Sequence, residues 1–473
     1  MRERPESYQA EWDRVCRVDV PDSNGECGEF LGGSMLDNPE NWRKSQAGQV
    51  MKETRSKRIL FATIGSLGDL HPCIALAMEL GRLGHKVTIA STPYYRSKVE
   101  SLGIAFHPIR PDWDPTDREM IRECEDLKRG PETLFRKFIL PHLPDTFDDL
   151  LAAARDADLM VAGELNYAAP LAAEKLGLRW ASAILSPASF LSAHDPSYTV
   201  NVPWLIHVRK AGWPAYRAVM NLGRLGTRHW WDPVRRLRKQ QGLRAECDPL
   251  FRDKFSPDLV LALFSRLLAE RQPDWPAQTV QPGFVFFDGQ ESNARSDARL
   301  STFLAEPDPF ILFTQGSTAV HAPGDFYSVS AEAARRLGRR ALLIGTSSAG
   351  TADSSSRNLA LPYAAYSQVF PHAAVNVHQG GSGTIGQALL AGRPQLVVPF
   401  GCDQPDNAMR VERLGAGLHL PRRLYSVDTA TKALGRLLEE AHFSERAARV
   451  GKEIQAENGL AAACDAIESI LPA

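Results

Sequence analysis

The chain has 473 residues, with 44% hydrophobic and 23% charged side chains and 55 basic against 56 acidic residues. This length exceeds one hydrophobic core and predicts two or three domains, while a formal charge of −1 excludes a general nucleic-acid binder. Seven scattered cysteines without a C-x-x-C pair argue against a zinc site or a disulfide framework and favour a reducing cytoplasm.

The first 56 residues differ from the rest of the chain. They are polar, rich in Gly, Ser and Asn, and show no sustained apolar period and no apolar segment of a signal peptide. We predict a disordered or loosely attached extension, with packing across a domain surface as the alternative.

The next part of the chain is predicted to alternate strands and helices. Residues 58–64 form an apolar run typical of a strand buried on both faces of a parallel sheet. A glycine-containing turn follows, and then a helix that we predict to begin near Pro72, because proline is tolerated in a first helical turn. Strand 85–91 completes a βαβ unit, and the stretch at about 200–250 is predicted to be helical. Further strands are predicted at 158–164, 179–185, 258–264 and 279–287.

A polar stretch over 288–298 then interrupts the periodicity and indicates a linker. Beyond it, strands are predicted at 309–316, 341–346, 374–379 and 395–401, again with helices between them. We therefore predict an α/β protein with two doubly wound, Rossmann-like domains. The predicted boundaries are 1–56 for the extension, 57–288 for the N-terminal domain, 289–300 for the linker and 301–473 for the C-terminal domain.

Three loops after predicted strands carry residues suited to ligand binding, since open α/β sheets bind ligands at the carboxyl ends of their strands. In residues 378–384, HQGGSGT, a strand runs into three glycines and a helix begins near Ser382. Glycines allow close backbone approach, and a helix N-terminus favours an anion such as a diphosphate. A glycine-rich turn needed only for packing is the alternative. The amides and carboxylates of 401–407 could bind a polyhydroxyl ligand, although Asp, Gln and Asn are also common turn formers. The small hydroxyl residues of 314–318 could face phosphate.

These loops together carry a family likeness. The stretch 378–408, HQGGSGTIGQALLAGRPQLVVPFGCDQPDNA, resembles the nucleotide-sugar signature of family 1 glycosyltransferases, and TIGSLGDLHP at 63–72 resembles the first loop of bacterial, sterol and macrolide members. FTQGST at 313–318 and LSPASFLSAH at 185–194 resemble in particular the rhamnosyltransferases of rhamnolipid synthesis. The resemblance runs from about residue 58 to the C-terminus. It implies the GT-B fold, in which an N-terminal acceptor domain and a C-terminal nucleotide-sugar domain face one cleft.

The resemblance also implies a donor site. The glycine-rich loop would hold the diphosphate, Asp403 and Gln404 would contact the donor sugar, and Tyr363 would stack on the base where the family usually has Trp. Gln379 stands where the family often has a second His, and Gln387 stands where it often has a Glu for the ribose hydroxyls. Ala365 and Tyr366 replace the family's Pro-Gln after the Trp, which leaves the identity of the base open. The implied donor-binding residues are Ser317, Tyr363, His378, Gln379, Gly380, Gly381, Ser382, Gly383, Thr384, Gln387, Asp403 and Gln404.

Asp69 is the candidate catalytic residue, because it stands where many family members have a catalytic His and several have Asp. Its carboxylate could accept the proton of an acceptor hydroxyl, particularly if burial raises its pKa. The alternative is that Asp69 caps the helix predicted from Pro72, and both roles are compatible. His71 and His194 are further candidates on the acceptor side.

The resemblance implies neither a cofactor nor a metal, since GT-B enzymes stabilise the leaving diphosphate with helix N-termini and side-chain donors. Asp112 and Asp114 match the D-x-D pattern by which the other major glycosyltransferase fold binds a cation. They lie in a proline-rich loop, so we interpret them as turn residues.

The near-zero charge hides a basic segment at 206–244, which has ten Lys or Arg residues, one acidic residue and interleaved Trp and Tyr. Such a segment suits an anionic membrane surface or an amphiphilic acid acceptor, and a solvated face paired with acids elsewhere is the alternative. We expect a cytoplasmic protein that could contact the inner membrane face there and binds no nucleic acid.

Together these features predict an inverting glycosyltransferase. It would move a hexose, rhamnose or glucose, from a dTDP- or UDP-sugar to a hydroxyl of a hydrophobic small molecule or lipid. The alternatives are a nucleotide-sugar epimerase or hydrolase of the same fold, and a sugar-nucleotide-binding protein that has lost catalysis.

Overall fold

The computed structural model describes residues 56–126, 129–198, 205–289, 297–317, 319–346 and 357–472. The predicted extension, apart from its last residue, and most of the predicted linker lie outside these ranges. Within them, no helix is both long and apolar enough to cross a membrane.

The first half of the described chain forms a sheet of seven strands, all of them parallel to their neighbours. Their order is β3-β2-β1-β4-β5-β6-β7, and the central strands are buried because helices cover both faces. The strands are β1 Arg58–Ala62, β2 Lys86–Ser91, β3 Ala105–Pro108, β4 Leu159–Gly163, β5 Trp180–Ile184, β6 Leu259–Ala262 and β7 Thr279–Val280.

Nine α-helices of the described chain accompany this sheet. They are α1 Leu67–Arg82, α2 Arg96–Ser101, α3 Arg118–Cys124, α4 Gly130–Thr133, α5 Leu143–Ala153, α6 Ala169–Leu176, α7 Leu205–Arg209, α8 Trp213–Gly226 and α9 Asp232–Gln240. The helices predicted at about 200–250 are therefore present.

The second half forms another sheet, with six parallel strands among the residues described, in the order β10-β9-β8-β11-β12-β13. The two doubly wound α/β units predicted from the sequence are thereby confirmed. The strands are β8 Phe310–Thr314, β9 Arg340–Ile344, β10 Asn358–Leu361, β11 Val375–His378, β12 Gln395–Val397 and β13 Gly417–His419. The helices are α10 Ala298–Ala305, α11 Phe326–Arg336, α12 Tyr366–Val369, α13 Ser382–Leu390, α14 Gln404–Arg413, α15 Val427–Glu439, α16 Ala441–Ala456 and α17 Gly459–Ser469.

The last helix, α17, packs on the first sheet rather than on the second. Its Ala463, Cys464 and Ile467 are buried in one cluster with Ile59 and Phe61 of β1. The structure therefore differs from the predicted C-terminal domain of 301–473, because the final apolar stripe completes the N-terminal core.

Two local predictions need correction. The helix predicted from Pro72 begins at Leu67, because Ser66 is its N-cap and forms a capping box with Asp69, and Pro72 lies inside the helix. The strand predicted at 279–287 pairs with its neighbour only over Thr279–Val280. The rest of that segment runs along the cavity described next.

Candidate active site

A cavity of about 300 Å³ is shared by the two halves of the fold. Its wall includes residues at the start of α1, Leu185 and Leu263 directly after β5 and β6, residues of the loops that follow strands of the second sheet, and the segment 284–288. The carboxyl ends of both sheets thus meet at one cavity, which is where open α/β sheets bind ligands. Of the predicted site residues, those that line it are His71, Ser317, Tyr363, Ser382, Gly383, Thr384 and Gln387.

The glycine-rich loop is held from beneath by His378, at the end of β11. This imidazole is fully buried, and its Nδ1 accepts a hydrogen bond from the Gly380 N–H (3.1 Å) while its Nε2 donates to Gln395 Oε1 (2.9 Å). Burial lowers the pKa of His378 to about 4. His378 is therefore a neutral support of the loop, and it does not line the cavity as the described residues define it.

Gly380 occupies a position that only glycine fits. Its φ is +94°, and a Cβ there would lie 2.7 Å from Val397 Cγ1. The backbone then turns through Gly381, the N-cap of α13, so that the first N–H groups of α13 lie beside the cavity.

Asp403 and Gln404 lie at the start of α14, next to this loop. Ser382 Oγ and Asn407 Nδ2 both donate to Asp403 Oδ2 at 2.8 Å, and burial raises the pKa of Asp403. Gln404 Oε1 accepts from the N–H groups of Phe400 and Gly401. Both residues are adjacent to the glycine-rich loop but outside the lining of the cavity.

Two buried amide side chains at the glycine-rich loop have atoms without a hydrogen-bonding partner among the described residues. Gln379 Oε1 and both amide atoms of Gln315 have no hydrogen bond within the described parts of the chain. Gly316, with φ +66°, lies directly over Gln379, since a Cβ there would be 1.9 Å from Gln379 Nε2. Unpaired buried amides are costly and indicate a site for water or a polar ligand. Gln315 was not among the predicted site residues.

Asp69 lies in the first turn of α1. Its Oδ2 accepts hydrogen bonds from the Ser66 N–H (2.8 Å) and from the Ser66 hydroxyl (3.0 Å). Asp69 therefore takes part in capping α1, as the second residue of the capping box with Ser66 and not as the cap of a helix that begins near Pro72. Burial raises the pKa of Asp69 to about 6, against the opposing effect of these hydrogen bonds. Gly65, with φ +127°, is required here because a Cβ would lie 2.5 Å from Asp69 Oδ2.

The two predicted histidines have different surroundings. The His71 ring lies edge-on to Phe287 (5.2 Å), and its buried Nε2 has no hydrogen-bonding partner among the residues that the structure describes. Burial, with Lys98 nearby, lowers the pKa of His71 to about 3, so the ring is neutral. His194 stacks on Trp213 (5.0 Å between centroids) and is not part of the cavity lining among the described residues.

Two acidic residues near the site were not predicted. Glu164 follows β4, and burial raises its pKa to about 7, although Lys254 opposes this shift. Asp288 accepts a hydrogen bond from Gln387 Nε2 (2.9 Å), and its carbonyl accepts one from the Tyr363 hydroxyl (2.9 Å). The position of Glu164 at the carboxyl end of the predicted strand 158–164 was a usable signal. Asp114 accepts two hydrogen bonds from Thr116, as expected of a turn residue.

A buried ion-pair network connects the two halves. Arg410 of α14 is 2% exposed, and it pairs with Asp406 one turn earlier and with Asp195 of the first half. The Tyr198 N–H also donates to Asp406 Oδ1 (2.8 Å). The loop after β5, which contains His194, is therefore attached to the helix that begins beside Asp403.

Two parallel-sheet Rossmann-like units with a shared cavity at their carboxyl ends define the GT-B fold. Residues 59–186 match the family model of the glycosyltransferase family 28 N-terminal domain. Residues 360–466 match that of the erythromycin biosynthesis protein CIII-like C-terminal domain. With the relatives below, these matches show that the chain is a GT-B glycosyltransferase, as its motifs predicted.

Similar proteins include natural-product and sterol enzymes. The chain is 29% identical over 433 residues to O-mycaminosyltylonolide 6-deoxyallosyltransferase of Streptomyces fradiae, covering 87% of this chain and 97% of that protein. It is 28% identical to the sterol 3-beta-glucosyltransferase of Emericella nidulans, covering 88% of this chain but only 30% of that longer protein. A Streptomyces sp. SF2575 glycosyltransferase complexed with thymidine diphosphate has the same fold, with TM-score 0.59, 20% identity, and coverage of 87% of this chain and 99% of that one.

Proposed function

We propose that this enzyme transfers a hexose, rhamnose or glucose, from a dTDP- or UDP-sugar to a hydroxyl of a hydrophobic small molecule or lipid, with inversion at the anomeric carbon. One observation carries the proposal. Leu67 and Gly68 in the first turn of α1 line the same cavity as the N-terminus of α13, and Asp69 is the next residue of that turn. A proton acceptor and a diphosphate site are the two groups that such a transfer needs.

The donor diphosphate would bind at the N-terminus of α13. The N–H groups that follow Gly381 have no partner within the helix, and the helix dipole favours negative charge at this end. Ser317 and Thr384 line the same part of the cavity and could donate to phosphate oxygens. Tyr363, which is 56% exposed, would stack on the base, and Asp403 and Gln404 would contact hydroxyls of the donor sugar.

The transfer step would be a displacement at the anomeric carbon. The acceptor oxygen forms a bond to this carbon as the bond to the diphosphate oxygen breaks, and the diphosphate leaves with the electron pair. The acceptor proton passes to the Asp69 carboxylate. The N-terminus of α13 stabilises the charge that develops on the leaving group. No redox partner is needed, and closure of the cleft would exclude water that competes for the donor.

The comparisons support a natural-product or sterol-like acceptor and a nucleoside diphosphate. The matched relatives are named as transferases that act on O-mycaminosyltylonolide and on sterols, and one structural neighbour is complexed with thymidine diphosphate. The acceptor would enter from the first half of the fold, near His71 and the loop after β5.

Helix α8 is proposed to contact an anionic membrane surface. Ala218, Leu222 and Leu225 lie on one face, and the two leucines are 68% and 66% exposed. Arg217 of the same helix and Arg228 just after it are also exposed. A basic helix with an exposed apolar face has the chemistry of an interfacial helix. Vesicles of phosphatidylcholine with phosphatidylglycerol should bind the protein more than phosphatidylcholine alone, and Leu222→Asp should abolish the difference.

Donor binding and turnover can be tested separately. UDP, dTDP and their glucose and rhamnose derivatives should raise the melting temperature if they bind the folded state. Mass spectrometry with hydroxy-fatty acids, sterols and macrolides should then detect a mass increase of one hexose or deoxyhexose. Release of free or epimerised sugar without an acceptor would favour the hydrolase or epimerase, and binding without any turnover would favour an inactive binding protein.

A further inference from the structure

Asp288 connects three elements of the donor half. Its Oδ1 accepts from Gln387 Nε2 of α13 (2.9 Å), and its Oδ2 accepts from the Ser367 N–H of α12 (3.2 Å). Its main-chain carbonyl accepts from the Tyr363 hydroxyl (2.9 Å). Asp288 itself lies in the segment between the two sheets and lines the shared cavity with Tyr363 and Gln387.

The carboxylate retains capacity for further hydrogen bonds. An ionised carboxylate has about four lone-pair positions, and the contacts with Gln387 and Ser367 use two of them. The surrounding cavity wall includes Phe286, Phe287 and Tyr366. An apolar wall strengthens a hydrogen bond to a charged acceptor, so a hydroxyl group that enters the cavity would find a strong partner in Asp288.

The place of Asp288 relative to the proposed diphosphate site identifies the group that it would meet. Gln387 is five residues after Ser382 in α13, and this separation corresponds to about 7.5 Å along the helix axis. In a nucleoside diphosphate, the ribose is the group next to the diphosphate and the base is the group beyond it. Tyr363, the proposed base platform, is fixed through its hydroxyl to the carbonyl of Asp288.

We propose that Asp288 binds the ribose hydroxyls of the nucleotide donor and that Gln387 orients its carboxylate. The inference rests on the proposed function, because it assumes that a nucleoside diphosphate occupies the cavity. It assigns donor recognition to a residue outside the glycine-rich loop and the helix that follows it. The contacts with the described residues leave about two lone pairs on this carboxylate, which can accept from both hydroxyls of a ribose and from only one of a deoxyribose.

Calorimetric titration with UDP and with 2′,3′-dideoxyuridine diphosphate tests this role without any acceptor or turnover. The wild-type protein should bind UDP at least about tenfold more tightly than the dideoxy analogue. Asp288→Asn should weaken UDP binding about tenfold and remove most of this preference. In the double variant Asp288→Asn with Gln387→Glu, the new carboxylate can accept from the Asn amide, and the preference for UDP should return in part. Asp325→Asn, an exposed change in the same half, should bind as wild type does.

The outcomes separate this inference from the proposed function. If Asp288→Asn weakens both nucleotides equally, Asp288 only positions its neighbours and the inference fails. Tight UDP binding with no preference over the dideoxy analogue in the wild type would also overturn it, while leaving the donor site in place. Failure of the wild type to bind UDP or dTDP at all would refute the proposed donor site together with this inference.

Discussion

Replacing Asp69 by Asn should separate the two roles proposed for this carboxylate. The Asn amide oxygen can still accept the hydrogen bond from the Ser66 N–H, which is 2.8 Å long in the native capping box, but the amide cannot take a proton. If Asp69 is the base, we expect kcat to fall about 10²–10⁴-fold, with little change in affinity for UDP or dTDP.

The same substitution should stabilise the fold at neutral pH. Burial raises the pKa of Asp69 from 3.8 to about 6, so the native state disfavours the ionised form by up to about 3 kcal/mol. The wild-type free energy of unfolding should therefore decrease as pH rises from about 4 to about 6 and stay lower above pH 6, because the unfolded state ionises first. The difference in favour of Asp69→Asn should be absent below pH 4 and reach its maximum above pH 6.

Ionisation of Asp69, which lowers the stability of the wild type, should raise its activity. A base with pKa about 6 is one-tenth ionised at pH 5, so kcat/KM should be about tenfold below its value at pH 8. Urea unfolding followed by tryptophan fluorescence from pH 4 to 8 would give the pH profile of stability. Initial rates over the same range would give the pH profile of kcat/KM. Asp325→Asn, a matched loss of one exposed charge, should leave both unchanged. An Asp69→Asn protein that turns over normally, or is less stable than wild type at pH 7, would refute the reasoning.

Two further substitutions test the cross-half network and the anion site. Arg410→Ala should lower the free energy of unfolding by about 3–5 kcal/mol, because it removes the charge that pairs with the buried carboxylate of Asp406. Arg413→Ala, which removes a 39%-exposed partner of Asp195, should cost less than about 1 kcal/mol in the same urea titration; equal losses would contradict the argument. Gly381→Val should weaken UDP binding at least about 100-fold, since its side chain would occupy the approach to the α13 N-terminus. Gly435→Ala, where a Cβ has only one neighbour at 3.9 Å, should leave binding intact in calorimetry, and undiminished binding by Gly381→Val would exclude the anion site.

The parts of the fold that could be predicted are those encoded in contiguous residues. The run at 58–64 predicted β1 because buried parallel strands are apolar throughout. The start of α1 was missed because Pro72 was treated as the first-turn signal, although Ser66 and Asp69 already formed a capping-box pattern. The packing of α17 on the first sheet could not be predicted, since its apolar stripe does not specify which sheet it covers.

The candidate site could likewise be predicted only where its residues are consecutive in the sequence. The glycine-rich loop was found because its residues are consecutive, but the hydrogen bond that holds His378 beneath it is made with Gln395 of a neighbouring strand. The contact between Asp288 and Gln387 joins residues 99 positions apart, and the pair of Asp195 and Arg410 joins residues 215 positions apart. Only the folded chain brings such residues together, so neither pair has a local sequence signal.

The position of α17 has a consequence for engineering by exchange of halves. A chimera cut within the linker at 289–300 would take its last helix from the parent of the C-terminal half and place it on a foreign N-terminal sheet. The parent of the N-terminal half would also have to supply an acidic residue that pairs with Arg410, as Asp195 does here. A different chimera would take residues 459–469 from the parent of the N-terminal half and would keep Asp195 and Arg410 from one parent. It would preserve the contacts of α17 with the first sheet and the ion pair between the halves. We expect chimeras of related enzymes to fold when these contacts are preserved and to fail when the chain is cut only once, in the linker.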